Sequence, residues 1–456
     1  MRETNFIIEN NARHLWHPMA HPAEMQAQPP RIINSGEGVE IVDIQGKKVL
    51  DAVGGLWNVN LGYSCEPVKK AIRDQLDELP YYSTFRGTTN SPLIELSYEL
   101  AEWFRPDGLS RSFFTSGGSD SVETCLRLAR QYHKITGQPE RTKFVALKKG
   151  YHGTHFGGAS VNGNQNFRRN YEPLLPGVIH LPAPFSYHNP FDTTDGAEIA
   201  AAIGRLFEDE IAFQGADTIA ALIVEPVLGA GGVIVPHETF LPLMREICDR
   251  HGILLIADEV ITAFGRTGAW TGSRLWGVKP DLMSTAKAIT NGYFPFGAVM
   301  ISDKVAEVFE GSKNGLGSIG HGYTYSGHPA GAAAALATLK ETRRLNVAAN
   351  AAVRGEELLQ GLRALQNKHE LIGDVRGKGL MCALELASDR EKKIAAGKDV
   401  LQTVQDVAYE AGVLVRTSGP NIIMSPPLVI TAKDVGRILD ALDSGLAAAG
   451  KLLHSR

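Results

Sequence analysis

Residues 238–260 read ETFLPLMREICDRHGILLIADEV, and this stretch indicates the fold because a helical pattern runs directly into a strand pattern. Its first half places apolar residues at offsets of zero, three, four and seven, which form one stripe on an α-helix. These residues are Phe240, Leu243, Met244 and Ile247. Gly252 follows as a helix stop, and ILLIADEV has the length and branching of a buried strand.

The same alternation runs through the middle of the chain. Short apolar runs at 143–149, 219–226 and 297–302 read KFVALKK, IAALIVEP and GAVMIS, and helical patterns separate them. Strands that alternate with helices predict right-handed crossovers and a largely parallel sheet covered on both faces. We therefore predict an α/β fold and place its large domain at residues 61–325.

Two further segments complete the predicted organisation. The later part of the chain begins with an alanine-rich helix, AGAAAALATLKETRRL, and continues through IGDVRGKGLMCALELA. This alternating pattern is typical of a smaller α+β domain. We assign residues 326–456 to this small C-terminal domain and expect residues 1–60 to pack with it.

Composition excludes several classes of function. The formal charge is −4 without a basic run, so neither a nucleic acid nor an anionic membrane is an expected partner. The four cysteines lack a CxxC pair, which argues against a disulfide framework and against a metal site. They are Cys65, Cys125, Cys248 and Cys382. Without a signal peptide or an apolar run of roughly 20 residues, the protein is expected to be soluble and cytoplasmic.

Polar residues that follow the predicted strands are the first candidates for function, because ligands of open parallel sheets bind beyond the carboxyl ends of the strands. Asp258 comes directly after a fully apolar strand. Its desolvation would be costly unless the carboxylate met a cation, such as a protonated heterocyclic nitrogen. The alternative is an aspartate that caps a loop.

A second candidate is the segment SFFTSGGSDSVETC at residues 112–125. It leads from a short apolar piece through Gly118 and Ser119 into a helix, whose first N–H groups and positive end suit a phosphate. The segment is neither GxGxxG nor GxxxxGK[ST], so the dinucleotide and P-loop fingerprints are missing. A plain helix-capping turn is the alternative.

The third candidate is Lys287, which lies among small and apolar residues in DLMSTAKAITNGYFPFG at 281–297. A lysine whose charge is disfavoured becomes an amine nucleophile that forms a Schiff base with a carbonyl. A buried ion pair is the alternative. One small molecule would explain all three candidates together, because pyridoxal 5′-phosphate carries an aldehyde, a pyridinium nitrogen and a phosphate.

Five motifs, in the expected order, resemble the class III pyridoxal-phosphate aminotransferases of fold type I. They are GYHG at 150–153, VEPVLGAGG at 224–232, ADEVITAFGRTG at 257–268, PDLMSTAKAITNGYFPFGAV at 280–299 and YTYSGHP at 323–329. The resemblance spans nearly the whole chain. One departure is the phosphate loop, TSGGSDSVE, where relatives read something like SGSEAN.

The resemblance implies a role for each matching cofactor residue. Lys287 would hold the cofactor as a Schiff base and then carry a proton, and Asp258 would keep the ring nitrogen protonated. The remaining positions would contact the ring, its phosphate or an arginine that binds the substrate. Tyr151 would stack on one ring face, Val260 would press on the other, Gly118 and Ser119 would cradle the phosphate, and Glu225 would lie near the cofactor and that arginine.

Thr324 would reach the phosphate from the neighbouring subunit. The resemblance therefore implies a homodimer or homotetramer whose active sites are shared between subunits.

Other residues resemble the subgroup that transfers amino groups from amines to pyruvate. Trp57, in AVGGLWNVNLGY, would wall the substrate pocket, and Arg416 would bind the α-carboxylate of pyruvate and swing aside for an amine. Phe85 matches a pocket aromatic. Arg86 replaces a second aromatic, so its guanidinium either pairs with a distal carboxylate or sulfonate or points to solvent.

The expected function is a ping-pong transamination from a primary amine or ω-amino acid to a keto acid, with pyruvate as acceptor. Donors that fit include β-alanine, taurine, putrescine and longer ω-amino acids. The alternatives are an aminomutase or decarboxylase with the same cofactor, and a non-catalytic protein that binds the cofactor.

Overall fold

The computed structural model describes residues 3–313 and 315–454. Its helices are, in chain order, α1 (Thr4–Asn10), α2 (Pro22–Ala27), α3 (Gly54–Trp57), α4 (Glu66–Glu78), α5 (Ser91–Phe104), α6 (Gly118–Ile135), α7 (Phe156–Val161), α8 (Gly196–Gln214), α9 (Phe240–His251), α10 (Gly272–Leu275), α11 (Asp303–Glu310), α12 (Pro329–Arg344), α13 (Val347–Lys368), α14 (Lys398–Glu410) and α15 (Ala432–His454). Short 3₁₀ turns cover Arg105–Asp107, Gln165–Phe167, Ala216–Thr218 and Lys287–Thr290.

The strands form three sheets within these residues. They are β1 (Ile33–Glu37), β2 (Glu40–Asp43), β3 (Lys48–Asp51), β4 (Leu109–Thr115), β5 (Lys143–Leu147), β6 (Val178–Leu181), β7 (Ile219–Val224), β8 (Leu254–Asp258), β9 (Leu282–Thr285), β10 (Gly297–Ser302), β11 (Ile372–Gly377), β12 (Cys382–Asp389), β13 (Ile394–Ala395), β14 (Val413–Leu414), β15 (Arg416–Ser418) and β16 (Asn421–Met424).

The largest sheet has the strand order β4-β10-β9-β8-β7-β5-β6. Its strands pair in parallel except β10, which is antiparallel to both β4 and β9. Only residues 286–296 connect β9 to β10, which is short for the crossover that a parallel neighbour needs. The prediction of an α/β fold with a mostly parallel sheet is confirmed.

Helices cover both faces of this sheet, and alternate residues of β5 show it. Val145 and Leu147 join the apolar cluster of α8 and α9, whereas Phe144 and Ala146 join the cluster of α6. Because both faces are buried, β7 and β8 consist of buried residues throughout. The runs predicted at 143–149, 219–226, 253–260 and 297–302 each contain a strand. The strand ends expected before the second and third candidates are those of β4 and β9, whereas β6 was not predicted.

The helix predicted from residues 238–251 is α9, and it ends where the sequence indicated. Phe240, Met244 and Ile247 are buried, while Leu243 is half-buried against the same cluster. Gly252 has φ +65°, a left-handed conformation that glycine adopts without steric cost, so it caps the helix and turns the chain into β8.

Two smaller sheets lie outside the large one. The first has the order β1-β2-β3-β14, and the second has the order β11-β12-β16-β15, with β13 paired to β12. Strand β14 pairs in parallel with β3, so residues 48–51 and 413–414 share a sheet. This pairing supports the grouping of residues 1–60 with 326–456, and the domain limits stay a proposal. No helix of the described residues is long and apolar enough to cross a membrane.

Candidate active site

A cavity of about 360 Å³ lies at the carboxyl end of the large sheet. It is reached by the segments that follow β4, β5, β7, β8 and β9, where the parallel strands all end at one edge. Seven of the residues predicted to act on the cofactor line it. They are Gly118, Ser119, Tyr151, Glu225, Asp258, Val260 and Lys287.

Lys287 opens the 3₁₀ turn that follows β9, and its backbone has φ +51°. A non-glycine residue in this left-handed region is strained, and such residues concentrate at functional sites. Among the residues that the structure describes, none forms a hydrogen bond or ion pair with its Nζ atom. Burial lowers the pKa of Lys287, against the opposing effect of Asp258 and Glu225. The amine is therefore neutral at a lower pH than that of an exposed lysine.

Asp258 is 4% exposed, and three groups donate to its carboxylate. Ser284 Oγ and the Val260 N–H donate to Oδ1 at 3.1 and 3.2 Å. His152 Nδ1 lies 2.8 Å from Oδ2. These three contacts fix the carboxylate at the cavity wall, and the register in which β8 and β9 pair sets Asp258 opposite Ser284.

The sequence did not single out His152 or Ser284. His152 follows Tyr151 in the GYHG motif, but it lies 106 residues from Asp258 along the chain. Ser284 lies on β9, the strand before Lys287, whose bounds were not predicted. The only signal available in the sequence was proximity: His152 follows Tyr151 directly, and Ser284 lies shortly before Lys287.

The predicted phosphate site coincides with the first turn of α6. Gly117 caps this helix, and Gly118 and Ser119 are its first two residues. A Cβ at Gly118 would approach Val260 Cγ1 to 3.0 Å, so a larger residue would push on the cavity wall. The N–H groups of a first helical turn have no acceptor within the helix, which suits this turn to an anion.

Tyr151 and Glu225 are joined through the backbone. Glu225 accepts hydrogen bonds from the N–H groups of Tyr151 and Gly229, at 2.9 and 2.8 Å. Burial raises the pKa of Glu225 to about 7; His152 opposes this shift, and the negative charge of Asp258 adds to it. The Tyr151 ring meets Phe167 edge-on, with ring centroids 5.0 Å apart.

The four predicted substrate residues are more dispersed. Trp57 is 3% exposed and packs in an apolar cluster with Ile261, which lines the cavity, whereas Trp57 itself does not. Phe85 and Arg86 are exposed and lie outside the cavity lining. Arg416, on β15, is half-buried; burial lowers its pKa against the opposing effect of Tyr151, and its positive charge contributes to the lowered pKa of Lys287.

Thr324 is exposed and lies outside the cavity lining. Its carbonyl oxygen accepts a hydrogen bond from the Tyr81 hydroxyl at 2.7 Å.

The raised pKa of Glu225 predicts a pH-dependent stability. The folded state binds this proton more tightly than the unfolded state, so the contribution is fully present below pH 4.5 and is lost as the pH rises through about 7. In cofactor-free protein, we expect Glu225→Gln to remove this slope, which amounts to about 3 kcal/mol in the free energy of unfolding. Denaturant titrations across this range measure it. Parallel curves for the two proteins would contradict the prediction.

The residues present fit pyridoxal phosphate. Lys287 offers an amine that no described residue pairs with, Asp258 offers a buried carboxylate whose Oδ2 accepts from His152 alone among the described residues, and the first turn of α6 offers N–H groups. Tyr151 and Val260 line the same cavity as these groups.

Comparison with known proteins agrees with this geometry. Residues 22–446 match the family model described as aminotransferase class-III. The chain is 37% identical to the putrescine–pyruvate aminotransferase of Pseudomonas aeruginosa over 92% of its length and 91% of that enzyme's. It is 36% identical to gamma-aminobutyrate transaminase 1 of Oryza sativa subsp. indica, a mitochondrial protein, over 92% of its length and 81% of that protein's.

A solved structure is also similar. The PLP-bound form of an amine transaminase from an uncultivated Pseudomonas species superimposes with a TM-score of 0.94 and 47% identity, covering 95% of this chain and 98% of that one. The order of motifs, the geometry of the cavity and these matches lead to the same result. The chain belongs to the class III aminotransferases and is a pyridoxal-phosphate enzyme.

Proposed function

We propose that this enzyme transfers the amino group of a primary amine or ω-amino acid to pyruvate. The observation that carries the proposal is the state of Arg416. Its guanidinium is half-buried, and no acidic side chain of the described residues forms an ion pair with it. A cation held partly out of water without an anion is costly, so it favours a ligand that brings a carboxylate. The relative from P. aeruginosa is named a putrescine–pyruvate aminotransferase, which agrees with pyruvate as the acceptor.

The cavity residues divide the work by their chemistry. When bound, pyridoxal phosphate supplies an aldehyde carbon that condenses with amines and a ring that withdraws electrons. Lys287, when its amine is neutral, accepts and returns a proton at Nζ. Asp258 holds a proton at the ring nitrogen by its negative charge, and Tyr151 and Val260 confine the ring. Arg416 orients the keto acid through its carboxylate.

The same pocket must bind pyruvate, which carries a carboxylate, and an amine donor that carries none. Because no acid of the described residues holds Arg416 in an ion pair, its side chain can turn towards the keto acid and away from an apolar amine. A fixed arginine would leave its cation unpaired each time the amine bound.

Removing this guanidinium is expected to separate the two substrates. Arg416→Ala should raise the KM for pyruvate by about 10- to 100-fold, the equivalent of a lost hydrogen-bonded charge pair. The kinetics of an amine without a carboxylate should change little. Arg416→Lys is the matched control, because it keeps the charge and loses the two-pronged geometry. An equal effect on both substrates would remove Arg416 from this role.

The donor is tested by a panel of amines with pyruvate, with alanine as the measured product. β-Alanine and taurine carry an acidic far end, putrescine carries a second amine, and an arylalkylamine is neutral there. Preference for the acidic donors would support a substrate contact of Arg86, and preference for the neutral amine would oppose it. Release of carbon dioxide, or turnover without a keto acid, would favour a decarboxylase or an aminomutase instead.

The assembly is proposed to be a homodimer, or a homotetramer of such dimers, with active sites shared between subunits. Thr324, Phe85 and Arg86 belong to two segments that contact each other, since the Tyr81 and Thr84 hydroxyls donate to the carbonyls of Thr324 and Ser326. Exposed aromatic rings lie on the same segments. They are Tyr81, Tyr82, Phe85 and Tyr325.

Such a surface supports a second copy of the chain as its partner. Sedimentation of the active enzyme tests this, and a fully active monomer would refute it.

The cytoplasm is the proposed location. The four cysteines are all buried and none forms a disulfide, which suits a reducing compartment. Fractionation of the producing cells tests this proposal.

A further inference from the structure

His152 is a buried imidazole that touches the candidate cofactor acid and that the proposed mechanism does not use. Its side chain is 1% exposed, and it lies one residue after Tyr151. We infer that His152 is a positioning residue: it acts through Asp258 as a neutral donor that keeps this carboxylate ionised and aimed at the cofactor ring nitrogen. This inference rests on the proposed function.

The hydrogen bonds of Asp258 show which oxygen is available to a ligand. Each carboxylate oxygen has two lone pairs. Oδ1 accepts from Ser284 Oγ and from the Val260 N–H, so its two lone pairs are used. Oδ2 accepts from His152 alone among the described residues. A ring N–H that binds the carboxylate would therefore use Oδ2, the same oxygen that His152 holds.

The surroundings of His152 also set its protonation. Its Nδ1 faces a carboxylate oxygen, so the proton is assigned to Nδ1. Its Nε2 is buried without a hydrogen-bond partner among the described residues. A second proton there would leave a charged N–H unsatisfied in the interior, which is costly. His152 is therefore a neutral donor, and it orients Asp258 without cancelling its charge.

Asp258 therefore accepts hydrogen bonds from neutral donors only, among the described residues. Ser284, the Val260 amide and His152 all stabilise the ionised carboxylate, and none of them competes with a pyridinium as its cation. Without the His152 donor, Oδ2 would lose the group that fixes its direction.

The test compares three variants of the holoenzyme produced with a cofactor labelled with ¹⁵N in its ring. His152→Phe keeps a planar ring and removes the donor. His152→Asn places an amide N–H near the position of Nδ1. Ser284→Ala is the matched control, because it removes a donor from Oδ1 and leaves Oδ2 untouched.

The readouts are the ¹⁵N shift of the ring nitrogen and the rate at which the cofactor is lost to a competing scavenger. We expect a pyridinium shift in the wild type, in His152→Asn and in Ser284→Ala. In His152→Phe, the shift should move towards an unprotonated nitrogen, and the cofactor should be lost about 10-fold faster or more. A protonated nitrogen and unchanged retention in His152→Phe would overturn the inference, as would a His152→Asn variant that behaves like His152→Phe.

The wild-type imidazole provides a measurement that needs no variant. Its ¹⁵N resonances should show a protonated Nδ1 and a bare Nε2, and a doubly protonated ring would overturn the inference even if His152→Phe failed to fold. A wild-type chain that binds no cofactor would refute the proposed function, whereas a loaded wild type whose ring nitrogen ignores residue 152 would refute only this inference.

Discussion

Lys287→Ala is expected to reduce transamination by about 10⁴-fold, because one side chain supplies both the amine that captures the aldehyde and the group that moves the proton. Positioned proton transfer alone contributes up to about 10⁴-fold in enzymes. The lowered pKa of Lys287 adds to the effect, since its amine becomes neutral at a lower pH than the amine of an exposed lysine. No other lysine lines the cavity within the described part of the chain.

Two measurements check this prediction. Steady-state rates with pyruvate give the loss of activity, and borohydride reduction followed by peptide mapping should label residues 281–297 in the wild type only. Lys279→Ala is the matched control, because Lys279 is exposed and lies on the loop that leads into β9. Label recovered from another peptide, or near-normal activity in Lys287→Ala, would refute the assignment.

Asp258→Asn is expected to have the second largest effect, a loss of about 10²- to 10⁴-fold in kcat/KM. Removing one member of a buried charge pair costs about 3–5 kcal/mol, and each 1.36 kcal/mol changes a rate tenfold. The substitution keeps the shape of the side chain and removes the charge that would hold the ring proton. The amide also cannot accept from all three donors that now fix the carboxylate.

The matched control for Asp258→Asn is Asp281→Asn. Asp281 is similarly buried, at 6% exposure, but it precedes β9 at the opposite end and pairs with Arg245 and Lys304. Its substitution should lower the melting temperature and leave the absorption spectrum of the bound cofactor unchanged. Rates, spectra and melting temperatures of both variants separate a chemical role from a structural one. Equal kinetic losses would contradict the role of Asp258.

The large sheet was predictable because its central strands are buried on both faces. Strands β7 and β8 are continuous apolar runs, and such runs are visible in the sequence. Strand β6 lies at the sheet edge and is mostly half-buried, and β9 ends in Ser284 and Thr285, so neither forms an apolar run. The direction of β10 was hidden as well, because GAVMIS reads alike in parallel and antiparallel pairing.

The cofactor residues were predictable from where they stand relative to strand ends, and their supporting contacts were not. Asp258 and Lys287 each follow a strand that leads to the cavity. His152 reaches Asp258 from another connection, and Ser284 reaches it across a pair of strands, so both contacts depend on pairing that a sequence does not display. The roles of Trp57, Phe85, Arg86 and Thr324 stay predictions, because they depend on a substrate and on a second subunit.

The pairing of β3 with β14 has a consequence for how the enzyme is made. Asn58, which lines the cavity, follows β3 closely, yet the strand beside β3 leaves the ribosome only after nearly the whole chain. A product that stops before residue 413 leaves β3 without this neighbour. Truncated translation products should therefore be colourless. The yellow colour of bound pyridoxal phosphate would then report how many chains have been completed, not how many have been started.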